Sequence, residues 1–406
     1  MPSPKSTSSA SDAQEATELA LWMAGQAARD GSYGIGGALM ETATGRVLQT
    51  MPNRVFAQLA PGQEDSPVFV WDPTAHGERQ LMTWYLAQSA ARDMPPPEAL
   101  TLVTTVDPCL MCASSLLEVG VSVGAAALDP YSGIDYTQNG QFLDLPEPLR
   151  SRARQRFGYF AVHDLRSYQG GPDAAYVGQS IQESTFNDCL DLYISSADTV
   201  RAARRSQDTS VDKLQNPATF PSAVPIVRAF AAVSPGAFTV TLDDPRRPDE
   251  ALRDLLEATV RAMPGSTNAC AFVDPFGNVL SVSADQQQVN ALNTAFALCT
   301  RTYAQTRFAL MADPKSALIA DQTLTNPDLG TFVWLTAPDV RTAVGMFDVG
   351  AYGSTLGMPC SPLIPSAFQY FDLPDDLTAD DLQRAIYPLP PLYSSHIAIS
   401  PQQVAL

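Results

Sequence analysis

The sequence predicts an α/β protein in which a three-layer α/β/α sandwich, built on a mixed sheet, is present twice. Three observations lead to this expectation. The chain has 406 residues, which suits two domains of ordinary size. In the first half, apolar periodicity gives the order helix, hairpin, helix, strand, helix, strand, which requires a mixed sheet with helices on both faces. The same order of patterns restarts near residue 236.

The first half begins with a helix, a hairpin and a loop. Residues 13–29 place leucines and a tryptophan among alanines and charged residues at helical spacing, and the pattern stops at Asp30 and Gly31. Residues 36–48 contain two short apolar runs joined by a turn, which indicates a hairpin. Residues 57–73 are rich in proline, glycine and acidic residues, and we expect a loop there.

A second helix, two buried strands and a third helix follow. Residues 75–91 have a helical pattern for which Thr74 is a suitable N-cap, and three consecutive prolines break the pattern. Residues 99–106 and 121–128 are apolar runs with the length of buried strands. Between these strands, Pro108 begins a third helix, because proline is best tolerated in the first turn.

The second half repeats these elements after a connecting region. Helical patterns cover 147–156 and 180–206, and a proline-rich passage covers 217–235. The repeated elements are a helix over 247–263, a hairpin over 270–282, a helix over 289–303, and a strand with a third helix over 329–349. The expected domains are a disordered lead-in over 1–14, a first domain over 15–165, a linker with a helical segment over 166–235, and a second domain over 236–406.

Two stretches show the duplication most directly. Residues 103–120 and 333–350 align without a gap and share a proline, an alanine, a closing Val-Gly pair and the same apolar spacing. The second stretch lacks the two cysteines of the first: Cys109 faces Asp339, and Cys112 faces Thr342. The alternative is two unrelated α/β domains whose apolar spacing agrees by chance.

Composition narrows the classes of function. The net charge of −18 at pH 7 disfavours binding to a polyanion through overall charge, so nucleic-acid binding would need a local basic patch. The apolar runs are shorter than the roughly 18 residues that a membrane span needs, and the N-terminal residues lack the apolar segment of a signal peptide. We therefore expect a cytoplasmic protein with no membrane partner. Six cysteines, two of them in P-C-x-x-C, indicate metal or redox use inside the cell.

Four residues form a candidate active site. His76 and Glu78 lie at the predicted start of the second helix, and Cys109 and Cys112 lie at the start of the third. A helix N-terminus stabilises a thiolate and prepares it for a metal. One imidazole and two thiolates supply three ligands to a tetrahedral zinc and leave the fourth position for water, which is the catalytic arrangement. Glu78 can then carry a proton without binding the metal.

Taken singly, these motifs have other interpretations. P-C-x-x-C also occurs in redox pairs and in structural zinc sites. A redox pair has no use for His76 and Glu78, and a structural site would need a fourth cysteine or histidine nearby. The other two histidines, His163 and His396, have no comparable context, and we expect them to be packing or surface residues.

The sequence DPTAHGE at 72–78, together with TTVDPCLMC at 104–112, resembles the cytidine deaminase-like superfamily. The closest resemblance is to the branch that holds tRNA adenosine deaminases, guanine deaminases and fungal-type cytosine deaminases. It implies a zinc-dependent hydrolase that acts on the C–N bond of a cyclic amidine, with zinc-bound water attacking the amine-bearing ring carbon while Glu78 moves protons. It also implies one Zn²⁺ per chain.

The resemblance further implies that Asn53 and Ala75 contact the substrate. The other interpretation of Asn53 is a turn residue. The chain departs from the family at two places: Gly77 stands where alanine is usual, and an acidic insertion over 61–71 precedes the histidine. The insertion is expected to reshape the mouth of the pocket.

The second half has no counterpart of the zinc ligands. In the alignment, His76 falls roughly opposite Asn290, and Glu78 falls opposite Leu292. The resemblance implies an internal pseudo-dimer in which a non-catalytic lobe helps to complete the pocket of the catalytic one. The alternative is a lobe that only stabilises the fold, and further homo-oligomerisation stays open.

Two substrate classes compete. A nucleobase or nucleoside agrees with the acidic charge and is favoured. A tRNA or single-stranded nucleic-acid substrate is supported by a set of arginines: Arg150, Arg152, Arg154, Arg156, Arg201, Arg204 and Arg205. Arginine at every second position does not line one helix face. A third interpretation is a non-catalytic, zinc-stabilised binding protein, against which the intact Glu78 argues.

Overall fold

The computed structural model describes residues 8–63, 66–135, 140–147, 149–163, 165–167, 169–176, 178–207, 211–355, 368–386 and 401–405. The chain divides into two units. The first contains chiefly Met1–Phe56 and Thr74–Val200, and the second chiefly Ala57–Pro73 and Arg201–Tyr387. None of the described helices is both long enough and apolar enough to cross a membrane.

A mixed sheet of six strands organises the first unit. Up to residue 207 the strands are β1 (Gly36–Glu41), β2 (Val47–Pro52), β3 (Phe56–Gln58), β4 (Val68–Val70), β5 (Leu100–Val106), β6 (Ser122–Ala127), β7 (Phe157–Tyr159), β8 (Ala161–Val162), β9 (Gln169–Gly170) and β10 (Ser180–Ile181). The helices are α1 (Ala13–Arg29), α2 (Gly77–Ala91), α3 (Leu110–Val119), α4 (Leu149–Arg156) and α5 (Glu183–Gln207). The strand order is β2-β1-β5-β6-β7-β9, and β5, β6 and β7 run parallel.

Two adjacent glycines of β1 show how the helices cover both faces of this sheet. Successive residues of a strand point to opposite faces. A Cβ atom on Gly36 would overlap the carbonyl oxygen of Ala20 in α1, whereas a Cβ on Gly37 would meet Leu81 of α2 at 3.0 Å. Helix α1 therefore lies on one face and α2 on the other, and the three-layer prediction is confirmed for this unit.

Strands β5 and β6 are buried along their whole length. Parallel strands that are covered on both faces have this continuous apolar character. Helix α3 follows β5 and ends at Gly120, whose φ of 91° lies in the left-handed region that favours glycine. The two strands match the predicted apolar runs, whereas α3 begins at Leu110 with Cys109 as its N-cap, so the prediction that Pro108 begins this helix is wrong.

The second unit has a five-stranded sheet in the order β12-β11-β13-β14-β15. Its strands are β11 (Ala269–Val273), β12 (Val279–Ala284), β13 (Thr331–Thr336), β14 (Phe368–Asp372) and β15 (Gln402–Gln403). The helices from residue 211 onward are α6 (Val224–Val233), α7 (Glu250–Ala262), α8 (Ala295–Ala312), α9 (Ala317–Thr323), α10 (Gly350–Thr355) and α11 (Ala379–Ile386). The order of the first five strands in the two sheets is the same.

Strand register confirms that the fold is present twice. In each unit the first central strand pairs with both neighbours at matching positions: Gly37 pairs with Met51 and Thr104, and Cys270 pairs with Ser283 and Trp334. Both hairpins then have a register shift two residues further along, after Leu39 and after Phe272. Such irregularities are specific local features, so their shared position indicates a common architecture and not a chance agreement of spacing.

The predicted third helix of the second unit does not form after β13. Residues 337–345 are turns, and helical structure resumes only at 346–349 and in α10. Asp339 accepts from Arg341 N (2.8 Å), and Thr342 Oγ1 donates to the Asp339 carbonyl (2.9 Å). These side chains compete with helical backbone bonding, and Gly345 has a φ of 110°.

Three other boundaries differ from the predictions. Helix α2 begins at Gly77 with His76 as its N-cap, so Thr74 does not cap it. Helix α8 begins at Ala295, because Thr294 accepts from Ala297 N (3.2 Å) and caps the helix there. Within the predicted lead-in, the Ala10 N–H donates to the Gly45 carbonyl (2.9 Å).

The predicted loop over 57–73 includes strand β4, which pairs with β3. This segment belongs to the second unit. There Asp72 forms an ion pair with Arg301 of α8, at 3.1 Å between Oδ2 and Nε.

Candidate metal centre

Three side chains in the first unit form a cluster suited to a metal. Ligand atoms of His76, Cys109 and Cys112 all lie within 4.8 Å of one another, and the three residues are buried. No other group of at least three such side chains occurs among the residues that the structure describes. The cluster is the set of ligands predicted from the sequence.

Two helix starts and one strand end bring these ligands together. His76 is the N-cap of α2, and Cys109 is the N-cap of α3, where β5 has just ended; neither side chain makes a capping hydrogen bond. Cys112 lies in the first turn of α3. Helices α2 and α3 pack together, and the buried Arg79 donates from Nη1 to Ser115 Oγ (2.7 Å) across this contact. The thiols therefore lie where backbone N–H groups favour negative charge.

The electrostatics of the cluster favour a thiolate at Cys109. A hydrogen bond from Cys112 and the nearby charge of His76 hold the pKa of Cys109 well below its ordinary value. Burial lowers the pKa of His76, but the charge and hydrogen bond of Cys109, 3.5 Å from Nδ1, outweigh it and raise the pKa overall. Burial and the neighbouring thiolate raise the pKa of Cys112. A metal cation would replace these protons, because metal binding and ligand deprotonation are coupled.

The donor set fits zinc. One imidazole nitrogen and two sulfur atoms are typical zinc ligands, and three protein ligands leave a coordination position for water. His76 Nε2 is buried and has no hydrogen-bond partner among the described residues. Neither His163, an exposed turn residue, nor His396, which lies outside the described residues, belongs to the cluster.

Glu78 lies beside the cluster. Its side chain is 2% exposed, Oε1 accepts from Thr104 Oγ1 (3.1 Å), and Oε2 accepts from Cys112 Sγ (3.5 Å). Burial, followed by the charge of Cys109, raises the pKa of Glu78. A carboxyl group with a raised pKa takes up a proton more readily than an exposed one.

Asn53 presents a hydrogen-bond donor that has no partner in the described structure. Its Oδ1 accepts from Ser32 Oγ (2.6 Å) and from Val55 N (3.0 Å), whereas Nδ2 is buried and unbonded. A backbone N–H can only donate, so the bond from Val55 fixes which amide atom is oxygen. A buried N–H donor costs about 1–3 kcal/mol while it is unpaired.

The Asn53 segment is held against the start of α2. Arg54 N donates to the Ala75 carbonyl (2.8 Å), and Gln80 Nε2 donates to the carbonyls of Pro52 (2.7 Å) and Ala75 (2.9 Å). A Cβ atom on Gly77 would lie 3.0 Å from the Met51 carbonyl oxygen. Glycine at position 77 therefore permits the close approach of the two segments. The related motif has alanine at this position.

Sequence reasoning missed the buried acidic residues that fix the loop beyond β6. Asp107 accepts from the N–H of Asp135 (2.9 Å) and from the Tyr159 hydroxyl, and it also lies against Gly133. Gly133 forms a bridge with Cys109. Burial raises the pKa of Asp107 well above its ordinary value. The only sequence signal was an acidic residue at the end of a buried strand, and its partners lie 28 and 52 residues away.

Four of the arginines considered for nucleic acid donate to groups within the protein: Arg150, Arg152, Arg154 and Arg156. Arg156 Nη1 donates to the Gly120 carbonyl (2.6 Å), and Arg152 Nη2 donates to the Leu117 carbonyl, so both satisfy carbonyls at the end of α3. The side chains of Arg204 and Arg205 lie outside the described residues. Arg150 and Arg154 instead donate to carbonyls of the 141–145 segment, so these four arginines have structural contacts within the first unit.

Comparison with known proteins gives similarities among solved structures. Neither a family model nor a curated protein matches the chain. A structure from work on A-to-I editing by tRNA:A34 deaminases is 25% identical, covers 29% of this chain and 79% of its own, and has a TM-score of 0.22. The chain is similar to deaminases. Guanine deaminase from Nitrosomonas europaea is 16% identical, with 46% of this chain and 86% of that chain covered and a TM-score of 0.28. These are kinds of deaminase that the sequence resemblance named.

Proposed function

We propose that the first unit is a zinc-dependent hydrolase that removes an amino group from a nucleobase or nucleoside. The observation that carries this proposal is the arrangement of Glu78 beside His76, Cys109 and Cys112. The three ligand atoms lie within 4.8 Å of one another, and Glu78 is buried next to them without joining them. A purely structural zinc site needs no such acid.

Zinc bound by these three residues would supply a coordinated water whose pKa is lowered towards about 7. The donor set of one imidazole and two sulfurs fits that ion. We propose one zinc per chain, because the second unit has no comparable cluster among its described residues.

Glu78 is the proton carrier in this proposal. Its pKa is raised, chiefly by burial, so the carboxyl group can accept a proton from water and pass it to the departing amine. Thr104 holds Oε1, and Cys112 lies against Oε2. The bond from Thr104 therefore fixes the carboxyl group next to the ligands, which keeps the reorganisation during proton transfer small.

Asn53 and Ala75 are the proposed substrate contacts. The unpaired Nδ2 of Asn53 can donate to a ring nitrogen or carbonyl of the base, and its orientation is set by Ser32 and Val55. The Ala75 carbonyl already accepts two bonds, so this residue would contact the ring by its small side chain. A single fixed donor suits recognition of a ring edge, and we favour a free base or nucleoside over a polymer.

The test is ammonia release from a panel of bases, nucleosides, tRNA and single-stranded DNA. We expect wild-type turnover on a small-molecule member, and turnover reduced by at least about 100-fold in Glu78→Gln, in line with the loss of a general acid–base. Glu118→Gln, at an exposed position of α3, is the matched control. Unchanged turnover in Glu78→Gln would remove Glu78 from the mechanism. Release from no member of the panel would favour the non-catalytic binding protein, and release only from tRNA or DNA would overturn the small-molecule assignment.

A further inference from the structure

The second unit contains a cavity of about 280 Å³. Its walls include aromatic, acidic and turn residues: Asp285, Phe296, Trp334, Pro338, Asp339 and Thr342. This volume is close to the lower limit of about 300 Å³ for small-molecule sites, and it suits one fused-ring heterocycle.

The cavity lies where the first unit has its metal centre. The paired registers of the two sheets place Trp334 at the position of Thr104, and Asp285 at the position of Asn53. The N-caps correspond as well, because Thr294 caps α8 as His76 caps α2. The structure thus assigns Thr294, and not Asn290, to the position of His76.

The groups that could perform hydrolysis are replaced in this unit. Phe296, two residues after its N-cap, stands where Glu78 stands after His76. The hydrogen bond between Thr104 and Glu78 has become a contact between aromatic rings, with the centroids of Phe296 and Trp334 5.5 Å apart. The described residues of this unit form no metal cluster. The cavity can therefore bind a ligand, but its described residues provide neither a metal site nor an acidic proton carrier at the position of Glu78.

The recognition group has changed from a donor to an acceptor. Asp285 is held as Asn53 is, by a serine hydroxyl, here from Ser266, and by a backbone N–H, here from Thr267 (2.9 Å). Its Oδ2 accepts only the Thr267 hydroxyl (3.1 Å) among the described residues, so a lone pair remains. Asn53 offers an N–H to a ligand, whereas Asp285 offers a carboxylate oxygen.

The charge around the cavity favours the same kind of ligand. Asp285 and Asp339 are both acidic, and none of the described residues that line the cavity is basic. Arg341 neutralises Asp339 through its guanidinium group, at 2.7 Å between Nη2 and Oδ2. Among the residues that the structure describes, no such cation pairs with Asp285, which is 6% exposed. A buried carboxylate of this kind prefers a ligand with an N–H donor and disfavours an anion.

We propose that this cavity is a second binding site, which holds a planar heterocycle with an exocyclic amino group and does not hydrolyse it. The amino group donates to Asp285, and the ring lies against Phe296 and Trp334. The inference rests on the geometry of the second unit and holds whether or not the first unit is a deaminase.

The test is binding of 2-aminopurine to the full chain, followed by hydrogen exchange of backbone amides. We expect protection over 266–268 and 336–345 that saturates with 2-aminopurine, with purine, which lacks the amino group, at least about tenfold weaker. Asp285→Asn should weaken 2-aminopurine about tenfold or more at these amides, whereas Asp321→Asn, at an exposed position of α9, should not.

Several results would overturn the proposal. No protection of these segments at saturating 2-aminopurine would show that the cavity takes no such ring. Equal affinity for purine and 2-aminopurine in the wild-type chain would remove the role of Asp285, and this comparison needs no variant to fold. Protection confined to the first unit would place the only base site there.

Discussion

Replacing Asn53 by aspartate tests the recognition part of the proposed function with a change of one atom. The Oδ1 atom keeps its bonds from Ser32 (2.6 Å) and Val55 (3.0 Å), so the local backbone should stay in place. The unpaired Nδ2 donor becomes a second carboxylate oxygen. A base that accepted a hydrogen bond from Asn53 then faces an acceptor.

The expected loss follows from the cost of one unpaired buried group. Leaving the acceptor of the base without its donor costs about 1–3 kcal/mol, which is about 5- to 150-fold in kcat/KM. Acidification should restore part of the activity relative to wild type, because a protonated aspartate again has an O–H to donate. Steady-state ammonia release as a function of pH measures both effects.

Two controls keep this result interpretable. Asn187→Asp introduces the same charge at an exposed position of α5 and should leave kcat/KM unchanged. Zinc content should be the same in all variants, because Asn53 is not a ligand. An Asn53→Asp enzyme with wild-type kcat/KM at neutral pH would refute the assignment of Asn53 as a donor to the substrate.

Three further predictions concern the proton carrier, the packing and the metal. Thr104→Val removes a hydrogen bond that lowers the pKa of Glu78, so the acidic limb of the kcat/KM profile should move to higher pH; an unmoved limb would contradict this. Gly36→Ala should destabilise the chain by about 1–3 kcal/mol in urea unfolding, because its Cβ would overlap a carbonyl of α1. Gly25→Ala should leave the stability unchanged, because the nearest atom to its Cβ is 3.5 Å away. Equal stability of the two variants would refute the packing argument. Protons compete with the metal for the imidazole of His76 and for the two thiolates, so zinc should be released as the pH falls; dialysis at stepped pH with metal analysis measures this, and full retention down to about pH 4 would contradict it.

The fold was predictable where local signals and tertiary position agreed. The run at 99–106 is apolar throughout and became β5, a strand buried on both faces. Helix α1 begins where Asp12 accepts from Glu15 N (2.8 Å), and it ends at Asp30, where the sequence pattern stopped. The duplication was visible because both copies needed the same apolar spacing to cover a sheet.

The failures occurred where a side chain competed with the helical backbone. The apolar spacing of 337–349 predicted a helix, but Asp339 and Thr342 bond the local backbone and keep it in turns. The second unit therefore differs from the first in backbone structure as well as in the residues at the positions of the two cysteines. Similarly, the helix predicted from residue 289 starts only at Ala295, because Thr294 caps it there. The spacing of apolar residues does not reveal the position of a cap.

The ligands of the candidate site were predictable, but most of their supports were not. His76, Glu78, Cys109 and Cys112 form two compact motifs whose chemistry is characteristic. Ser32 orients Asn53 from 21 residues away, and Thr104 holds Glu78 from another strand. Such contacts depend on the folded register of strands and loops, which a single sequence does not specify.

The zinc content of the full chain tests the central claim most directly. We predict one zinc per chain in the wild type, loss of that zinc in Cys112→Ser, and its retention in Cys189→Ser, a buried cysteine of α5 outside the cluster. Two zinc ions per chain would contradict the loss of the metal site in the second unit. A wild-type chain without zinc, or a Cys112→Ser chain that keeps it, would contradict the metal centre itself.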